Sequence, residues 1–355
     1  MDSVKYVGLD VHQETTSAAV LDSEGRLVMQ LTMATRASAI LDIVRGLRGT
    51  VHLTFEEGTY SEWLFALLVG RVDRLVVCNP RKNALLQVGN KNDDNDAHKL
   101  ARLLRSGELS SVYHGEHGLA ALQQLGRSYT TLTEDTTRVM ARLKAVFRSQ
   151  AIATAGQKLY SSRHRGEWLA QLGERGLRRR AERLYEQLDA LQLLRRRARQ
   201  ELIVESRSHE AVKWLRTIPF LGPIRAAVLL GRVQTPHRFR TKRQFWTYCG
   251  LGLETRSSAD YRVRQGQLVR SQKPVWIRGL NRNHNHELKN LFKGAATTAS
   301  TREGPLRTFY QGLLDQGMVP AMARLTLARK IAAITLRVWK KGVAFDAEHL
   351  KPKAA

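Results

Sequence analysis

Of the 355 residues, 58 are Lys or Arg and 32 are Asp or Glu, a formal net charge of +26 that points to nucleic acid as partner, with a membrane surface the runner-up. Hydrophobic residues at 43% and charged residues at 25% suit a folded chain with material for two or three domains, and no apolar run approaches the ~20 residues that span a bilayer, Arg71 interrupting the longest. Only Cys78 and Cys249 are present, which excludes a disulfide framework and a cysteine zinc cluster and fits a reducing, cytoplasmic setting, and MDSVKYVGLDVH lacks the basic and apolar regions of a signal peptide.

Residues 4–33 read as three strands: VKYVGLDV, TTSAAVLD and RLVMQLTM, the last two joined by the turn signal DSEG. Residues 36–48 follow helical periodicity, with Ile40, Leu41, Ile43, Val44 and Leu47 on one face. VHLTFEE predicts a fourth strand broken by Gly58, SEWLFALLVG a helix, and RLVVCN a short, fully apolar strand of the kind buried in parallel sheets. Pro80 is placed to open a helix over RKNALLQV. KNDDNDAHKLARLL, 91–104, then carries an apolar stripe of Ala97, Leu100, Leu103 and Leu104 behind three aspartates.

Three meandering strands, then helix, strand, helix, strand and two helices, is the order of an RNase H-like (RuvC-like) α/β domain. In that fold, acidic residues from the first strand, the fourth strand and a late helix converge. Asp10, Glu56 or Glu57, and Asp93 with Asp96 occupy those three places. Asp93 and Asp96 share one face of the first helical turn, whereas Asp94 points about 100° away and is left out. Glu56 is preferred to Glu57 because it directly follows the apolar Phe55. Hard oxygen ligands without a Cys/His set suit Mg²⁺ or Mn²⁺.

From about 117 to 208, Pro is absent and long helical patterns dominate, reading as two antiparallel helices or a coiled coil with dense arginine clusters at 178–180 and 195–197. KWLRTIPFLGPIRAAVLLGRV resembles a helix-hairpin-helix, whose Gly-containing turn offers backbone N–H groups to a phosphate. Beyond it, basic residues interleave with Phe, Trp and Tyr, as on nucleic-acid surfaces. Ser257 and Ser258 lie in a polar segment after CGLGLE. His284-Asn285-His286 lacks further ligands for a metal site, and RLTLARKIAAITLRVWKKG is an amphipathic helix closing the last domain.

In combination and in order, YVGLDVHQETTSAAVLD, FEEGTY, KNDDNDAHKLARLL, LRTIPFLGP, YCGLGLETRSS and GLNRNHNHELKNLFKGAA resemble the insertion-sequence-one-ten family of DEDD transposases. The resemblance implies a RuvC-like catalytic domain over 1–115, a helical coiled-coil linker over 116–208, a mainly α-helical transposase domain over 209–345 and a tail, 346–355. It implies an acidic tetrad of Asp10, Glu56, Asp93 and Asp96, and a nucleophilic serine at Ser257 or Ser258. Ser258 is favoured as the one directly before a small residue, although many members have Gly shortly after the serine where this chain has Ala259-Asp260. The implied function is a prokaryotic, nucleoid-associated recombinase of a mobile element. It would be guided on donor and target double-stranded DNA by a structured noncoding bridge RNA, and would act as a dimer or tetramer with composite active sites. Two other readings compete: a RuvC-like endonuclease using a metal-activated water, and a non-catalytic nucleic-acid-binding protein.

Overall fold

The computed structural model describes residues 4–80, 93–115, 118–256, 261–264, 267–270 and 276–350. The chain divides into two compact units, Met1–Glu116 and His117–Ala355.

The first unit is a mixed α/β sheet. Its strands are β1 (Lys5–Val11), β2 (Thr15–Leu21), β3 (Leu27–Ala34), β4 (Val51–Glu56) and β5 (Arg74–Cys78), in the order β3-β2-β1-β4-β5. β1 pairs antiparallel with β2 and parallel with β4, and β4 pairs parallel with β5. This topology is consistent with an RNase H-like fold. β2 is buried along nearly its whole length, with Thr16 and Ser17 bonded to Thr35 and Thr32, whereas edge strand β3 has no fully buried residue. Asp22 tightens the turn before β3 by accepting from the Glu24 and Arg26 amides.

Alternation decides which helix covers which face of the sheet. Val7 and Leu9 of β1 join Ile40 and Val44 of α1 (Ala37–Gly46) and Leu64 and Leu68 of α2 (Ser61–Leu68) in one core. Gly8 faces the other way, toward α3 (Asp93–Ser106), whose stripe of Ala97, Leu100, Ala101 and Leu104 is buried. The predicted helix after Pro80 lies outside the described residues.

The second unit is mostly helical. α4 (Ala120–Arg148) and α6 (Arg175–Ser206) pack on each other. Val139, Leu143 and Phe147 from the end of α4 share a core with Ala181, Tyr185 and Leu188 from the start of α6, so the two helices run antiparallel. Glu174 caps α6 by accepting from the Gly176 and Leu177 amides. Between them, α5 (Arg165–Ala170) is locked down: Arg165 makes a two-pronged pair with Asp189 at 2.7 and 2.8 Å and stacks over Tyr185, whose hydroxyl donates to the Leu159 carbonyl.

A larger core gathers α7 (Ala211–Leu215), α8 (Pro223–Val233), α9 (Lys242–Tyr248), α10 (His286–Thr301), α11 (Pro305–Asp315) and α12 (Pro320–Lys341) around Phe245, Phe292 and Ile331. Proline opens α8, α11 and α12, where a missing N–H costs nothing, and Gly342 closes α12 in the left-handed region.

The mainly helical unit also holds four short strands that the sequence did not announce. β6 (Leu253–Arg256) pairs antiparallel with β9 (Trp276–Leu280), and β7 (Tyr261–Arg264) with β8 (Gln267–Arg270). Each strand is four or five residues long and carries at least one arginine, so no apolar run marks them. The alternation YRVR and QLVR around Gln265-Gly266 was the available hairpin signal.

Candidate active site

The site is assembled where β1 and β4 end side by side. Their parallel register runs through Leu9 opposite Phe55, and its continuation sets Asp10 beside Glu56. Residues paired across a sheet share a face, and so do residues two apart along a strand. Asp10 therefore lies on the face of Gly8, which is the face α3 covers. Gly8 allows the approach: a Cβ there would fall 2.2 Å from the Ala97 carbonyl oxygen and 2.6 Å from the Ala101 nitrogen. Asp96 directly precedes Ala97, so this contact brings the α3 carboxylate to the carboxyl ends of the strands, where open α/β sheets bind ligands.

The electrostatics follow from this convergence. The Glu56 carboxyl is pushed above the usual carboxylate range, first by burial and then by the negative charges of Asp10 and Asp96. Two nitrogen-bearing side chains meet the cluster. His12 Nε2 stands 3.2 Å from Asp10, and Lys99 donates to Asp96 at 3.1 Å. Asp10 and Asp96 are 20% and 33% exposed, sheltered yet reachable by a solute. Glu57 is turned elsewhere: its amide donates to the Cys78 carbonyl and its carboxylate pairs with His114 at 2.6 Å.

The donor set is all hard oxygen and carries mutual repulsion that a dication would relieve, so its chemistry fits Mg²⁺ or Mn²⁺. Among the described residues, no three His, Cys, Asp or Glu groups close into a metal cluster by themselves. Asp93 opens α3 in backbone, and its side chain lies outside the described residues, as do Ser257 and Ser258. The His284 and His286 ring centroids lie 4.4 Å apart, with the rings tilted by 47°. Gly8 is the residue that sequence reasoning passed over; a glycine inside a strand is itself a signal of close backbone approach.

Elsewhere, the arginine clusters of α6 are largely exposed, with Arg178 and Arg183 paired to Glu182 and Glu186. In the turn before α8, Phe220 adopts φ 67° and its carbonyl accepts from Arg225 at 2.8 Å. Cys78 and Cys249 are both buried and are not joined in a disulfide. No described helix is long and apolar enough to cross a membrane.

Two family models match the chain. The DEDD transposase model of the IS110 type covers residues 7–151, and the transposase model of the IS116/IS110/IS902 family covers residues 212–311. No curated protein matches it. With a mixed α/β sheet under the first match and mostly helices under the second, the chain belongs to the IS110 family of transposases, enzymes that cleave and transfer DNA strands.

Proposed function

We propose that this transposase cuts and rejoins DNA at a divalent-metal site held by Asp10, Glu56, Asp93 and Asp96, with Ser258, or its neighbour Ser257, as nucleophile. The observation that carries the reading is the raised Glu56 carboxyl, held between Asp10 and Asp96 at the end of the sheet. Three like charges brought together at a sheltered edge are costly unless a cation completes them. When bound, Mg²⁺ or Mn²⁺ would neutralise charge developing on the scissile phosphate.

The chain's own groups then divide the work. The carboxylates would hold and orient the ion; His12 Nε2 lies 3.2 Å from Asp10 and Lys99 donates to Asp96. The serine oxygen attacks phosphorus, the ester bond to the leaving strand breaks, and the serine proton ends on the departing oxygen. The phosphoserine link conserves the bond energy. Attack by a hydroxyl from the exchanged strand releases the serine and seals the new junction. The packed pair α4 and α6 serves as a coiled-coil linker between the RuvC-like and serine-bearing domains. Active sites are composite, built between subunits of a dimer or tetramer, and the site-choosing partner is a noncoding bridge RNA that pairs with donor and target DNA. The net charge of +26 supports two polyanionic partners.

The test is a cleavage reaction with Mg²⁺, bridge RNA and labelled DNA, run on a denaturing gel. A covalent protein–DNA band is expected, and it should vanish in the Ser257→Ala, Ser258→Ala double variant while RNA binding persists. Metal-dependent cleavage with no adduct would instead support hydrolysis by an activated water. Adducts unchanged in the double variant would remove the serine from the mechanism.

A further inference from the structure

The second unit carries a groove of about 870 Å³, walled by α9 and the turn before it, α11 and α12. Among its described lining residues none is acidic. Arg240 and Lys242 contribute from the α9 side, and Arg329, Lys330, Arg337 and Lys341 from α12. Two aromatic rings, Trp246 and Phe309, line the same space. Lys242 Nζ sits 5.6 Å over the Trp246 ring and Lys330 Nζ 5.4 Å over the Phe309 ring.

Arg329 is held rigidly at the base. Its Nε donates to the Leu251 carbonyl at 2.7 Å, and its own carbonyl accepts from Trp246 Nε1 at 2.9 Å. Its Nη2 is buried and has no hydrogen-bond partner. An orphaned guanidinium nitrogen is among the costlier groups to bury, and folds keep one where an incoming acceptor completes it. Burial lowers the affinity of Arg329 for its proton, and burial followed by the charge of Lys242 does the same to Lys330. The groove thus sets one anchored guanidinium among further cations, with no acidic residue in its described lining and flat aromatic faces between them.

We propose that this groove binds a single strand of DNA, its phosphates taken by Arg329, Lys330 and Arg337 and its bases laid on Trp246 and Phe309. Charge complementarity selects a polyanion, and the two rings select one that carries exposed π-faces. A duplex keeps its bases paired inside and could not reach either ring, and an acidic peptide offers carboxylates without planar bases. Phosphates arriving along the wall would draw the Lys242 and Lys330 ammonium groups off the ring faces and free them for stacking. DNA is the strand chosen because a transposase opens and transfers DNA strands. The groove lies in a different unit from the carboxylates, so the proposal stands apart from the metal-site reading.

The experiment measures binding of a labelled oligothymidine to the full-length protein in EDTA, where no cleavage chemistry intervenes. Lys330→Gln with Arg337→Gln should weaken binding about 10-fold or more. It should also flatten the dependence of log Kd on log salt by about 1.4, at roughly 0.7 for each single-strand phosphate left without its cation. Arg337 is exposed, so Arg337→Gln alone keeps the test open if the pair unfolds, with a slope change of about 0.7. Phe309→Leu should weaken binding about 5-fold or more and leave the slope unchanged, since stacking releases no counterions. Arg36→Gln with Arg48→Gln removes the same charge from the exposed surface of the first unit and should leave affinity near wild type. Equal losses in the two double variants, or tighter binding of duplex DNA or of an RNA strand of equal length, would overturn the proposal.

Discussion

Replacing Gly8 with alanine tests how the site is assembled, because one methyl group would be set against the backbone of α3. The added Cβ would lie 2.2 Å from the Ala97 carbonyl oxygen, 2.6 Å from the Ala101 nitrogen and 2.9 Å from Leu100 Cβ. Two of these are main-chain atoms, so no side-chain rotation relieves the overlap. Reaching an ordinary separation of about 3.5 Å requires α3 to retreat from β1 by roughly 1 Å. Overpacking of this kind costs about 1–3 kcal/mol, and a rigid backbone neighbour puts Gly8→Ala near 3 kcal/mol. For a unit of this size that is a fall of about 10 °C in melting temperature. Asp96 moves with the helix, and a misplacement of about 1 Å in a reacting geometry costs roughly 10²-fold in rate. The assays are calorimetric melting of the full chain and Mg²⁺-dependent cleavage. Gly46→Ala serves as control, since a Cβ there meets nothing within 4 Å. Wild-type melting and cleavage in the Gly8→Ala variant would refute both the close packing of α3 and its role in carrying the carboxylate.

Two further predictions follow from the charged groups. Glu56→Gln should abolish cleavage and yet raise the melting temperature of the metal-free protein at neutral pH, because it removes a buried charge facing Asp10 and Asp96. The folded Glu56 carboxyl lies above its ordinary value of 4.5, so the folded state holds its proton longer than the unfolded chain. Wild-type stability from this group therefore falls as pH rises through that window, and the advantage of Glu56→Gln should grow from pH 4 to pH 7; a difference in melting that is flat with pH would contradict the coupling. In the helical unit, Asp189→Asn should cost about 0.5–1 kcal/mol, discounted for a half-exposed carboxylate, and Arg165→Ala more, because it also uncovers Tyr185. The hydrogen bonds from Arg165 hold the Asp189 carboxyl below 3.8, so this stabilisation is present at neutral pH and is lost as pH falls through the depressed value; urea melts of both variants at pH 7 and pH 3 check it.

Much of the secondary structure was written locally. The apolar content of VKYVGLDV and TTSAAVLD, the turn signal DSEG, and the helical stripe of Ala97, Leu100 and Leu104 each follow from a period that neighbouring residues set among themselves. The amphipathic period of RLTLARKIAAITLRVWKKG marked most of α12 in the same way. The ribbons formed by β6 to β9 escaped because strands of four or five residues, each interrupted by arginine, do not repeat long enough to leave a period.

The candidate site lies at the boundary between the two kinds of information. Strand order alone put Asp10, Glu56 and Asp96 into comparable places, but residues forty or more positions apart meet only through pairing and packing. The parallel register of β1 with β4 sets Asp10 beside Glu56, and the bare Cα of Gly8 lets α3 come down onto the same face. The groove of the second unit is further from the sequence still. Lys242 and Lys330 are 88 positions apart, and nothing local signals that their charges share a wall with Trp246 and Phe309. Local periods are decided by the chemistry of adjacent side chains. Clusters of like charge run against that chemistry, and only the burial of the whole core can hold them together.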